Sequence, residues 1–248
     1  MWKNTYNNGP EGLGCAQLDR CCERYAAREA QVMSQILVYA DSLSWGIIPD
    51  TRGRFRFDQR WPGVLEQELI NAGVSVRVIE DCLNGRRTVW EDPYKPGRNG
   101  LAGLEQKIEI NSPLSLVVML LGTNDFQSMH NFNAWQSAQG LKALVGTIRR
   151  APIEPGMPVP PIMLVAPPKV QKAKGSIAPK FEGAEEKAIG LAAAIKAVAE
   201  ECGCHFFDAG LVTPTSRVDG VHLDEDQHHK LGVALAESIL PLIRNIDL

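Results

Sequence analysis

With 248 residues, 44% of them hydrophobic, the chain is long enough to bury the core of one α/β domain of ordinary size. A net charge of −3, with no basic stripe interleaved with aromatics, excludes the phosphate neutralisation on which nucleic-acid affinity rests. No apolar run approaches the ~20 residues that span a bilayer, and the first residues lack the basic, apolar, small-residue order of a secretory signal, so a soluble cytoplasmic protein without a membrane partner is expected.

Residues 1–32 are polar, contain Asn7-Asn8-Gly9-Pro10, and carry at 16–32 a helical pattern with few apolar anchors. They read as a tag-like or poorly ordered N-terminal extension, and residues 33–248 as a single domain beginning at Met33. From Gln35 onward, short β-branched apolar runs alternate with longer helical patterns. Strands are predicted at Ile36–Ala40, Val74–Glu80, Leu114–Leu121, Pro161–Ala166 and His205–Asp208. Helices are predicted near Trp61–Asn71, Gly103–Ile110, Asn133–Arg149, Glu182–Glu201 and Asp224–Arg244. Strands that are apolar throughout are covered on both faces, which points to a parallel sheet. Strand-helix alternation then gives an α/β fold: a three-layer α/β/α sandwich around a parallel five-stranded sheet, flavodoxin-like.

In such a sheet, ligands bind outside the carboxyl ends of the strands, and the polar motifs fall there. Ser42 follows the first strand, Asn84-Gly85 the second and Gly122-Thr123-Asn124-Asp125 the third, while Asp219-Gly220-Val221-His222 precedes the last helix. A serine hydroxyl becomes an effective nucleophile when a base removes its proton, and imidazole suits that task near neutrality. His222 is the candidate base. Asp219, three residues earlier, can turn its carboxylate to the ring nitrogen facing away from Ser42. The backbone N–H groups of Ser42 and Gly85 and the Asn124 amide are candidate oxyanion donors; Ser42 is placed at a helix N-terminus, where the dipole also favours negative charge. Taken singly, these residues have plainer readings. Ser42 alone is a helix cap, Asp125 and Asp224 are caps or first-turn acids, and Asn84-Gly85 is a turn signal.

The six cysteines, Cys15, Cys21, Cys22, Cys82, Cys202 and Cys204, read as reduced thiols, because a chain of this length needs no disulfide staples. Cys202-Gly203-Cys204-His205 lacks zinc-site spacing and reads as small apolar residues leading into a buried strand. His228 and His229 read as solvated surface residues of the last helix, so no metal and no cofactor are assigned.

At these residues the chain resembles the SGNH hydrolase superfamily, also called GDSL esterases, over about residues 35–245, and is similar to its arylesterase and acyltransferase branch. The motifs are Asp41-Ser42-Leu43-Ser44-Trp45-Gly46, the glycine Gly85, Gly122-Thr123-Asn124-Asp125 and Asp219-Gly220-Val221-His222, with Arg60-Trp61-Pro62-Gly63 and Phe206-Phe207-Asp208-Ala209-Gly210 in support. The resemblance implies a catalytic Ser42, Asp219 and His222, an oxyanion site of Ser42, Gly85 and Asn124, and hydrolysis of small-molecule short-acyl aryl or alkyl esters through an acyl-enzyme, with acyl transfer to alcohols. Asp41, Trp45, Trp90 and Thr123 are expected to line the substrate pocket. Ala40 stands where the family usually has glycine, and a strand-end backbone should tolerate it. Carbohydrate acetyl-ester or thioester hydrolysis by the same site, and a flavodoxin-like anion-binding module without chemistry, are the alternatives. The Arg86–Leu101 insert reads as a homo-oligomer contact or a lid.

Overall fold

The computed structural model describes residues 33–244; the readings made for residues 1–32, including Cys15, Cys21 and Cys22, lie outside the described residues. Five strands, β1 (Ser34–Ala40), β2 (Val76–Cys82), β3 (Leu116–Leu120), β4 (Ile162–Ala166) and β5 (His205–Asp208), pair in parallel in the order β2-β1-β3-β4-β5. Helices α1 (Ser42–Trp45), α2 (Trp61–Asn71), α3 (Leu104–Asn111), α4 (Ala134–Arg149), α5 (Ala184–Lys187), α6 (Leu191–Cys202) and α7 (Glu225–Arg244) occupy the connections and the C-terminal segment. This is the α/β sandwich expected from the alternation of runs.

Successive side chains of a strand point to opposite faces, and the sheet is covered on both. Leu37, Tyr39, Val117, Met119 and Leu164 belong to one apolar cluster, shared with α3, α4, α5 and α6. Ile36, Val38, Val118, Leu120 and Val165 belong to another, shared with α2 and α7. Burial on both sides is why β1, β3 and β4 read as unbroken apolar runs. The sheet's order reverses between β1 and β3, so a crevice opens at their carboxyl ends. Ala40 is fully buried at the end of β1, and Asp50 is the one non-glycine residue with positive φ among those described, so the methyl group meets no backbone strain.

Four features depart from the sequence reading. The helix expected over Glu182–Glu201 is two helices, because Gly190 takes φ 84 and starts α6 afresh from a left-handed position. Strand β2 runs to Cys82 rather than ending at Glu80. The acids near its end are neutralised within the strand: Arg60 donates to Glu80 at 3.0 Å, and Lys107 pairs with Asp81 at 3.0 Å. Strand β5 lies at the sheet edge and is partly exposed rather than buried, with Cys202 and Cys204 packed against the core beside it.

The fourth departure is His228. It is fully buried rather than solvated, whereas its neighbour His229 is exposed. Its Nδ1 accepts from the Trp61 N–H at 3.3 Å, and the Phe55 ring meets it edge-on. Burial, reinforced by the charges of Arg60 and His222, lowers its pKa from 6.5 to about 3. The unfolded chain therefore binds a proton that the folded chain refuses, and stability contributed by neutral His228 is lost as pH falls from 6.5 towards 3. Denaturant titrations from pH 7 to 4 should show the parent losing stability relative to His228→Gln, an uncharged acceptor, by an amount on the order of a few kcal/mol, whatever the buried carboxyls contribute to both. Equal slopes in the two proteins would contradict this assignment. Among the described residues, no helix is long and apolar enough to cross a membrane.

Candidate active site

Ser42, Gly85, Asn124 and the Asp219–His222 pair arrive from four separate segments and line one open cavity of about 200 Å³ at the carboxyl ends of the strands. Ser42 is the first residue of α1, and its cap is Asp41, whose carboxylate accepts from the Leu43 N–H at 2.9 Å. The capping role considered for Ser42 thus belongs to Asp41, leaving the serine hydroxyl directed into the cavity. Helix α1 has four residues and is closed by Gly46 in a left-handed conformation. So short a helix carries little macrodipole, and what it offers an anion is unbonded N–H groups.

His222 lies between the other two members. Its Nε2 is 3.2 Å from Ser42 Oγ and its Nδ1 is 2.6 Å from Asp219 Oδ2. Because an ionised carboxylate accepts and cannot donate, Nδ1 carries the hydrogen and Nε2 is left to receive the serine proton. The Asp219–His222 turn is tightly built: Asp219 Oδ1 accepts the N–H groups of Val221 and His222, each at 2.9 Å. Burial pushes the Asp219 carboxyl up, but the His222 ring and these N–H groups together hold it below its ordinary value. Gly220 has φ 79, and a Cβ there would lie 2.6 Å from the Lys172 carbonyl, so glycine lets this turn close against the segment after β4.

Three donors face the cavity. The N–H groups of Ser42 and Gly85 have no protein acceptor among the described residues. Gly85 takes φ 84. The third donor is the Asn124 amide, held by a buried chain of hydrogen bonds. Its Nδ2 donates to Asp41 Oδ2 at 2.8 Å, and its Oδ1 accepts from Gln127 Nε2 at 2.6 Å. Arg87 donates to Gln127 Oε1 and to the Asn124 carbonyl, and pairs with Asp92 at 3.1 Å. One Asn124 hydrogen is used inward, so the other remains for the cavity. Burial raises the Asp41 carboxyl to about 7, against the opposing effects of the Leu43 N–H, the His222 charge and Asn124. This arrangement can take a proton from a serine as it attacks a carbonyl and can receive the resulting oxyanion.

The GDSL-like lipase/acylhydrolase family model matches residues 41–230. The chain belongs to this family. An aryl esterase from M. smegmatis, in its inhibitor-bound form, is 36% identical with a TM-score of 0.80, covering 84% of this chain and 99% of that one. A carbohydrate acetylesterase family member from Sinorhizobium meliloti is 33% identical with a TM-score of 0.80, covering 86% and 100%. An arylesterase from Vibrio mimicus is 32% identical over 96 residues, and the match spans 39% of this chain and 40% of that protein's length.

This GDSL-like chain departs from the expected pocket. Asp41 and Thr123 are buried behind Ser42 and Asn124 rather than facing ligand. Trp45 packs under the Arg54 guanidinium, 4.6 Å from its ring centre, and Trp90 stacks on Phe132 at 4.0 Å; neither lines the cavity. Asp125, considered as a cap, is a buried anchor. It accepts from Thr88 N at 3.0 Å and from Ser137 Oγ at 2.6 Å, tying the turn after β3 to the start of the insert. The insert is also fastened at Gly100, whose carbonyl accepts from Tyr39 Oη at 2.7 Å, and it contributes Lys95 to the cavity wall. The actual walls include Ile47, Arg52, Lys95, Ile177, Lys180 and Phe181. No motif marks them; the one signal is their place in loops at the carboxyl ends of strands. Among the described residues, no cluster of three or more His, Cys, Asp or Glu could hold a metal ion.

Proposed function

We propose that residues 33–248 form the catalytic domain of a serine esterase in which Ser42 is the nucleophile, His222 the general base and Asp219 its orienting partner. The hydrogen-bonded sequence Ser42–His222–Asp219, at 3.2 and 2.6 Å inside one cavity, carries this reading. Ser42 attacks the ester carbonyl while its proton passes to His222 Nε2, and the oxyanion is received by the Ser42 and Gly85 N–H groups and Asn124 Nδ2. The imidazolium then protonates the leaving alcohol, and water or a second alcohol resolves the acyl-enzyme. A cavity of about 200 Å³ favours short acyl groups. Removal of acetyl groups from a polar alcohol such as a sugar is a second reading. It is supported by the polar wall residues Asp50, Thr51, Asn84 and Ser176 and by the likeness to the S. meliloti protein. The free thiols at Cys82, Cys202 and Cys204 favour a reducing, cytoplasmic setting.

The test is labelling of the folded chain with a fluorophosphonate followed by peptide mass spectrometry. Stoichiometric modification of Ser42 that disappears on prior unfolding is expected. Absence of label, or label spread over other serines, would remove the esterase assignment and favour an anion-binding module.

A further inference from the structure

Four cations gather around the cavity that holds Ser42. Arg52 comes from the turn after α1, Lys95 from the insert and Lys180 from the 3₁₀ turn Gly175–Phe181, and all three line the wall. Arg98 stands beside Gly85, donating to the Asn84 carbonyl at 2.9 Å. None of the four pairs with a carboxylate among the described residues. The acids nearby are engaged elsewhere. Asp219 is held by His222, and Asp92 by Arg87 at 3.1 Å. Asp50 is the one other carboxylate on the wall, and its Oδ1 faces the Ser176 N–H. In a chain of net charge −3, a cavity this cationic does not follow from composition.

The grouping also works against itself. Burial lowers the pKa of the Lys180 ammonium, opposed by Asp92 and assisted by the charges of Arg87, Lys95 and Arg52. Lys95 is lowered by desolvation, then by Arg98 and Arg52. Lys180 is partly buried whereas Arg52 and Lys95 are exposed, so three like charges from three loops meet at the mouth of the cavity and repel one another there. A bound anion would relieve that repulsion, and a concave low-dielectric wall focuses the field that attracts one.

We propose that the cavity wall formed by Arg52, Lys95 and Lys180 is an anion-binding subsite, and that the enzyme's preferred substrates are esters whose non-reacting part carries a carboxylate or similar oxyanion. The proposal rests on the esterase reading for its chemistry, since the reacting carbonyl sits at Ser42 and the charged group must therefore lie at the far end of the acyl or alcohol half. Arg98, fixed by backbone carbonyls, adds field without moving.

The test compares charged esters with neutral isosteres on the full chain. 4-Acetoxybenzoate against 4-acetoxybenzamide reads an anion on the alcohol half, and phenyl hydrogen glutarate against phenyl glutaramate reads one on the acyl half. For at least one pair, kcat/KM should favour the anion by about tenfold at low ionic strength, the size expected of two or three partly exposed ion pairs. That ratio should shrink as the screening length falls from about 30 Å at 0.01 M salt to about 3 Å at 1 M. It should approach one in an Arg52→Gln, Lys95→Gln, Lys180→Gln variant, with Lys180→Gln alone intermediate. Calorimetric titration with 4-hydroxybenzoate and 4-hydroxybenzamide gives a readout that needs no turnover. Failure of all esters to react while the benzoate still binds preferentially, and loses that preference in the triple variant, would reject the esterase reading and leave the subsite standing. Ratios near one in both assays, or a preference that survives the triple substitution, would overturn the subsite.

Discussion

His222→Ala is expected to lower kcat on 4-nitrophenyl acetate by about 10⁴–10⁶-fold, the upper end being the scale seen when the imidazole of a serine–imidazole–carboxylate unit is deleted. Without the imidazole, the Ser42 hydroxyl has no base within reach. The Asp219 carboxylate is directed at His222 Nδ1, on the side of the ring away from Ser42. The loss should fall on kcat with KM little changed, because the ring's part is proton transfer in the transition state rather than ground-state binding. Circular dichroism and a melting curve would establish that the fold is retained. The substitution also unpairs Asp219, which is 1% exposed, so some destabilisation is expected alongside. A variant retaining a tenth or more of the parent rate would refute His222 as the base.

Asn124→Ala should lower kcat by about 10²–10³-fold, the range for removing one preorganised oxyanion donor. Three neighbours make this residue sensitive. Asp41 and Gln127 fix its amide from both ends, and Arg87 fixes its backbone carbonyl. Deleting the amide leaves Asp41 Oδ2 and Gln127 Nε2 buried without partners, at a cost of about 1–3 kcal/mol each. Activity and stability should therefore fall together, and Gln127→Leu separates them. It releases one end of the amide while leaving the donor present, so its kcat should decline less than that of Asn124→Ala. A parent-like rate in Asn124→Ala on folded protein would take the amide out of the oxyanion site.

The sheet was legible because β1, β3 and β4 are covered on both faces, which leaves unbroken apolar runs. Its edges were harder. The strand read as Val74–Glu80 continues to Cys82, with Arg60 and Lys107 neutralising Glu80 and Asp81 within it. The single helix read near Glu182–Glu201 runs through Gly190, whose left-handed φ of 84 divides α5 from α6. The convergence of Ser42, Gly85, Asn124, Asp219 and His222 on one cavity was readable from their shared place after strand ends. The cavity's walls were not. Size and aromaticity pointed to Trp45 and Trp90, yet a tryptophan's partner is a tertiary matter, and theirs are Arg54 and Phe132. The burial of His228 had a signal that its polarity masked: it stands three, seven and eleven residues before Leu231, Leu235 and Ile239, on the face that α7 buries.

The bracing of the insert ties the cavity wall to Asn124. Arg87 belongs to the loop that walls the cavity, yet its guanidinium grips the Asn124 carbonyl and Gln127. In the proposed esterase, substrate breadth and turnover are expected to be linked, because displacing this wall to admit a bulkier alcohol would disturb the brace on Asn124, the proposed oxyanion donor. Widening the entrance without loss of rate would therefore call for a replacement of Arg87 or another brace for Asn124.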